Sequence, residues 1–134
     1  MKALAIAIAL AGASACAGEL ENPERFAACP PGDVEQLFQQ RCGDCHGATE
    51  PEAMLDLVSP GVADRLIGVP SGTALCEGWT LIEPSTGQHL LLDKLGDSSC
   101  GSRMPLALNE FSAIETECVR RWVDDAIASA GASP

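Results

Sequence analysis

The chain has no tyrosine, only three phenylalanines and two tryptophans. So few large side chains cannot fill an extensive core, and a body other than the chain itself would help to fill one. Basic residues are also scarce: eight lysines and arginines face nineteen acids, for a formal charge of −11. Such a surface excludes nucleic acid, whose phosphates need a basic partner. There are only two histidines and no second C-x-x-C or H-x3-5-H group, so the paired ligands of a four-coordinate zinc site are missing. No internal repeat, glycine-rich nucleotide loop or serine-hydrolase elbow occurs. No apolar run approaches the roughly 20 residues of a transmembrane helix.

Cysteine, by contrast, is plentiful, with seven residues. The amino terminus says where they would reside. Met1-Lys2 carries a positive charge, Ala3 to Ala13 is small and apolar throughout, and Ser14-Ala15 precede Cys16. This is the pattern of an export signal over residues 1–15. Ala13-Ser14-Ala15-Cys16 resembles a bacterial lipobox, which would make Cys16 a lipidated amino terminus. Ordinary cleavage after Ala15 fits as well. The polar, acidic residues 16–28 read as an anchor and tether, and residues 29–134 as one domain. The chain is therefore expected on the periplasmic side of a bacterial membrane.

Cys42-Gly43-Asp44-Cys45-His46 is the segment that carries chemistry. It reads C-x-x-C-H, the attachment pattern of a c-type haem. Two thiols on one helical turn can each add to a haem vinyl group, and the adjacent histidine can bind the iron. A thioredoxin-like dithiol is the rival, but it expects a hydrophobic strand before the motif. Here Val34, Leu37, Phe38 and Arg41 fall at helical spacing, and Asp33 with Gln36 reads as an N-cap and its partner.

With Cys16, Cys42 and Cys45 set aside, Cys29, Cys76, Cys100 and Cys118 remain, an even number for two disulfides in an oxidising compartment. Three pairings are possible. We favour Cys76–Cys100, which would staple the loop before Met104. Cys29–Cys118 would then join the start of the first helix to the last.

Downstream, Ala53 to Val58 reads as a buried loop. Ser59-Pro60 opens a short helix to about Ile67, and Trp79 to Ile82 reads as a brief extended run. Ser85-Thr86-Gly87-Gln88 is a capping-box pattern before a helix burying Leu91, Leu92 and Leu95, ended at Gly96. Ser112-Ala113-Ile114-Glu115 opens the clearest helix, with Ile114, Cys118, Val119, Trp122, Val123 and Ile127 on one stripe and Gly131 at its end. The fold class is all-α.

A histidine-bound iron needs a second ligand or an open site. Met54, Met104 and His89 are the candidates. On spacing alone an isolated methionine is core filler. Met54 reads as loop packing and His89 as a surface histidine.

The order of motifs adds to this. Cys42, Cys45 and His46, then Arg103-Met104-Pro105, then Arg121-Trp122-Val123, resemble a class I-type cytochrome c domain of exported, lipoprotein-like bacterial proteins, over about Pro31 to Ala128. The extra cysteines and the long stretch from Pro60 to Ser99 depart from that pattern. The resemblance implies a small helical domain around one covalent haem c, with His46 and Met104 as axial ligands. Leu37 or Phe38 would meet Trp122. Arg103 would pair with a haem propionate or be a solvated surface arginine. The implied function is single-electron transfer, not enzymatic, with a redox partner that could present a basic docking surface. The alternatives are a haem enzyme or gas sensor with an open sixth site, and a non-haem, disulfide-stabilised lipoprotein.

Overall fold

The computed structural model describes residue 29, residues 32–106 and residues 108–131. The export signal, Cys16 and the tether lie outside the described residues. Four helices carry the architecture: α1 (Asp33–Arg41), α2 (Val62–Leu66), α3 (Leu90–Leu95) and α4 (Ala113–Gly131). Two 3-10 turns, Glu52–Met54 and Ala74–Cys76, lie between them. Among the described residues there is no strand, only the isolated bridges Ile67–Ile82 and Pro70–Thr80. The domain is all-α, and no helix is long and apolar enough to cross a membrane among the described residues.

Helix α4 is the spine, packing on α1, α2 and α3. Its start is a reciprocal capping box. The Ser112 N–H donates to Glu115 Oε2 at 2.7 Å, and the Glu115 N–H donates to Ser112 Oγ at 3.2 Å. Cys118, Val119 and Val123 are buried, and Trp122 and Ile127 half-buried. Ile114 leaves the expected stripe: it is 52% exposed and lines an open cavity with Leu37. Gly131 is still helical.

Helix α1 buries Val34 and Phe38 against α4. The Phe38 and Trp122 rings meet edge to face, centroids 5.4 Å apart at 89°, an arrangement the ring quadrupoles favour. Trp122 Nε1–H donates to Glu35 Oε1 at 3.0 Å. Acids in the first turn and Arg41 in the last suit the helix dipole. The N-cap is Gly32, at φ 85°, rather than Asp33. A left-handed glycine before the helix makes Asp33 its first residue, and the Gln36 N–H bonds to Gly32 O.

Two other helix starts fall later than the sequence suggests. Helix α2 starts after Gly61, not at Ser59-Pro60. Asp56 Oδ1 accepts the N–H groups of Val58 and Ser59, both at 2.9 Å, and turns the chain there instead. Helix α3 starts after His89, not at Ser85. Glu83 Oε1 accepts both the N–H and hydroxyl of Ser85, so this serine closes a turn with its neighbour. The first N–H groups of α3 are met instead by the carbonyls of Thr80 and Leu81, from the extended run that also pairs with residues 67–71. Gly96 ends α3, but at φ −111° rather than left-handed.

Both expected disulfides form. Cys29–Cys118 has a Cα separation of 5.5 Å and Cys76–Cys100 one of 5.3 Å, within the range that a disulfide spans. The first ties the start of α1 to α4. The second ties the Ala74–Cys76 turn to the loop after α3.

Candidate functional site

The C-x-x-C-H segment continues the last turn of α1. The Cys42 N–H donates to Phe38 O at 2.8 Å, and the Cys45 and His46 N–H groups donate to Cys42 O at 3.2 and 2.7 Å. This turn fixes both thiols and the imidazole to one rigid helix end. Cys42 is half-buried and packs on the core, while Cys45 is exposed. These two are the free cysteines among the described residues. Burial, opposed by Arg41 and aided by Cys45, pushes the Cys42 thiol up to about 11. At neutral pH Cys42 therefore stays a thiol rather than a nucleophilic thiolate.

The chain after the motif folds back onto it. Glu52 N–H donates to Cys45 O, and Leu57 N–H to His46 O, both at 2.8 Å. The 53–58 loop is not buried as a whole: Leu57 is buried, but Ala53 and Met54 are exposed, and Met54, at 82% exposure, is not loop packing. Glu50, Ala53 and Met54 hold φ values of 48°, 54° and 57°. Left-handed backbone is unfavourable for residues with a Cβ. The hydrogen bonds to the motif hold this turn in place.

The same fold-back sets the state of His46. Its Nδ1 lies 3.1 Å from Glu52 O. A carbonyl can only accept, so Nδ1 carries the proton and Nε2 keeps its lone pair. His89 is the opposite case. It is buried, at 8% exposure, rather than a surface histidine. The Glu83 N–H donates to its Nδ1 at 3.1 Å. Nδ1 therefore accepts, and the proton of the neutral ring sits on Nε2. Of the two imidazoles, only His46 has a ring nitrogen left over for a metal.

Met104 lies on the connection between α3 and α4, as the sequence suggests. It is half-buried, with a cis peptide to the buried Pro105. Its N–H donates to Lys94 O at 2.7 Å. Asp93 accepts from Ser98 Oγ, Ser99 N and Ser99 Oγ at 3.2, 2.9 and 2.7 Å. Cys100 is tied to Cys76. A belt of loops thus links His46 to Met104. Glu52–Met54 touches the motif, and a Cβ built on Gly72 would lie 3.5 Å from Met54 Cε. Thr73 caps the Ala74–Cys76 turn, and its disulfide reaches the loop of Met104.

Arg103 pairs with Glu110 at 3.3 Å through Nη2. Its Nη1 is buried without a hydrogen-bond partner, the one such side-chain atom among the described residues. A buried guanidinium nitrogen without an acceptor is costly, and the acceptor that suits it is a carboxylate. The residues that sequence reasoning missed are Glu52, which acts through its backbone carbonyl, and Lys94. The first leaves no side-chain signal. The second showed only as a cation in the last turn of a helix. Among the described residues no three His, Cys, Asp or Glu side chains converge as a metal cluster. Two concavities among the described residues, of about 190 and 410 Å³, are lined by residues of α1 and α4 and by residues of α3, α4 and their flanks, and neither lining includes a residue of the motif. No protein-family profile, curated protein or solved structure matches the chain.

Proposed function

We propose that this chain is an exported mono-haem c-type cytochrome that carries single electrons. Cys42 and Cys45 would hold one haem c covalently, His46 would bind its iron through Nε2, and Met104 would be the second axial ligand. The observation that carries the reading is the state of His46. On a helix end shared with two unpaired thiols, Glu52 O holds its proton on Nδ1 and leaves Nε2 as a donor. Two further features fit. The other four described cysteines are consumed in disulfides, so among the described cysteines the C-x-x-C pair alone is available for thioether links. The orphan Nη1 of Arg103, beside Met104, suits a propionate.

Bound haem supplies an iron that exchanges one electron. The chain's own part is to orient His46, to hold a soft thioether in reserve at Met104, and to neutralise carboxylate charge at Arg103. A sixth ligand from the chain would leave no open position, which favours a carrier over a haem enzyme or gas sensor. The thiol-redox alternative is weakened by the raised Cys42 thiol, and the zinc alternative by the lack of converging ligands among the described residues.

Location and partner follow from the same features. Two disulfides suit an oxidising compartment, and Cys16 would supply the lipid that holds the protein at the periplasmic face of the membrane. Every basic side chain among the described residues is engaged. Arg41, Arg65, Arg103, Arg120 and Arg121 are in ion pairs, and Lys94 is on backbone carbonyls. Exposed Asp44, Glu50 and Glu52 surround the motif. Such a face complements a redox partner with a basic docking surface.

The test is expression of the full chain with the haem-attachment machinery, then acid-acetone extraction and mass spectrometry. One haem should stay on the peptide containing Cys42 and Cys45. Complete release of the haem into solvent refutes covalent attachment.

A further inference from the structure

We propose that Lys94 is the positioning residue that holds Met104 at the distal side of the iron. This rests on the reading of Met104 as an axial ligand. Lys94 occupies the last turn of α3, where a cation suits the helix carbonyl end. A lysine there ordinarily extends into water. This one is half-buried and turned onto the following loop, with its ammonium donating to Cys100 O and, at 3.0 Å, to Ser102 O. Its own carbonyl accepts the Met104 N–H. One residue therefore grips the loop at positions 100, 102 and 104, alternating along the chain.

The other anchors lie at the ends of that stretch or beyond them. Asp93 binds Ser98 and Ser99 upstream, and the disulfide fixes Cys100 at the first of the three positions. Arg41 Nη2 holds the carbonyls of Asn109 and Glu110 downstream. The Arg103–Glu110 pair joins two points of the same connection, so it does not tie the loop to a helix. Among the described residues between Cys100 and Asn109, the side chain of Lys94 is the side-chain hydrogen-bond tie from the helical scaffold to the residues before Met104. Immobilising a lysine costs more side-chain entropy than almost any other residue. Two carbonyls that converge on one ammonium offset that cost with charge-assisted hydrogen bonds. A loop fixed this way keeps a thioether within reach of iron, whereas a mobile one lowers the ligated fraction and weakens the bond in proportion.

The test uses the holoprotein. Lys94→Met keeps the apolar stem and removes the ammonium. Gly101→Ala leaves Lys94 intact but places a Cβ 3.2 Å from Nζ, tighter than ordinary contact, at a φ of 60° that strains a side chain, and so pushes the ammonium and the loop carbonyls apart at an exposed site. Each should keep its covalent haem and helical circular dichroism. Each should lose most of the near-infrared charge-transfer band of Met–Fe(III), with carbon monoxide binding to the ferrous form about tenfold faster. Lys94→Arg, which retains donors on a long stem, should recover the band. If Lys94→Met does not fold, Gly101→Ala alone decides. Folded variants that keep the wild-type band and carbon monoxide rate overturn the positioning role while leaving the cytochrome reading intact. Wild-type holoprotein without the band overturns Met104 as ligand, and the role of Lys94 with it.

Discussion

The two disulfides close loops of very different length, and this gives a quantitative prediction. Cys29–Cys118 spans a sequence separation of 89 residues and Cys76–Cys100 one of 24. Chain-entropy scaling with loop length makes them worth about 4.6 and about 3.5 kcal/mol respectively. Each pair includes one buried sulfur, Cys118 or Cys76, so truncation to alanine removes similar packing from both sites. The difference between the variants then isolates the loop term. Cys29→Ala/Cys118→Ala should be about 1 kcal/mol less stable than Cys76→Ala/Cys100→Ala, a gap of about 4 °C in Tm for a domain of this size. Urea unfolding of the two oxidised holoproteins, matched for haem absorbance, measures it. Equal losses, or a larger loss from the shorter loop, would refute the entropic argument. Spectroscopy should rank the variants in the reverse order. The long-range tie braces α1 against α4, whereas the short one borders the loop of Met104, so only its removal should weaken the methionine–iron band.

Three other expectations follow from the site and the charge pattern. Met104→Ala should abolish the near-infrared band, open the ferrous iron to carbon monoxide and lower the potential by on the order of 0.2 V; an unchanged spectrum would make Met104 core filler. Asp56 is held at about 2, below its ordinary 3.8, by hydrogen bonds from the Ser59 side chain and the Ser59 and Val58 N–H groups. Glu117 is held at about 2, below 4.5, by hydrogen bonding from Arg120 and, against desolvation, by Arg121. Both carboxyls are depressed by folding, so their stabilisation is full above about 4.5 and is lost as pH falls toward about 2. Glu117→Gln should flatten the acid limb of a urea-midpoint titration, and an unchanged slope would remove Glu117 from the account. In the haem-free chain, nitrogen-15 NMR should find neutral His46 protonated on Nδ1 and neutral His89 on Nε2; the same tautomer in both rings would contradict the assignment.

The parts of the fold that the sequence made legible are those decided within one helical turn or by parity. The Ser112–Glu115 box and the stripe beyond it depend on residues three and four apart, so α4 could be read directly. Six cysteines after Cys16 leave four once the C-x-x-C pair is set aside, and both bonds form as favoured. The starts of α2 and α3 fall later than the cap patterns suggest because an acidic side chain captures the expected cap. Asp56 took Ser59 and Glu83 took Ser85, each two or three residues away. Such competition is local, but its winner depends on where the next helix must dock. The start of α3 is set by Thr80 and Leu81, whose carbonyls meet its first N–H groups. Ile114 obeyed the periodicity yet stayed half-exposed, because it borders an open cavity with Leu37 rather than a neighbouring side chain that fills it.

The site divides the same way. A motif names the thiols and the imidazole, but not which ring nitrogen is free. His46 and His89 are chemically identical, and each makes one hydrogen bond through Nδ1 at 3.1 Å. One bond runs to a carbonyl and the other from an N–H, and that difference alone separates a ring with a lone pair left over from a ring with none to give. The carbonyl belongs to Glu52, at the start of a turn whose next two residues, Ala53 and Met54, are left-handed. The turn is also anchored by the Glu52 N–H on Cys45 O, so the residue whose carbonyl orients the histidine is bound to the thiol-bearing helix end. Strain at the two left-handed residues and orientation at His46 are thus consequences of one fold-back, over a loop whose sequence gave no sign of either.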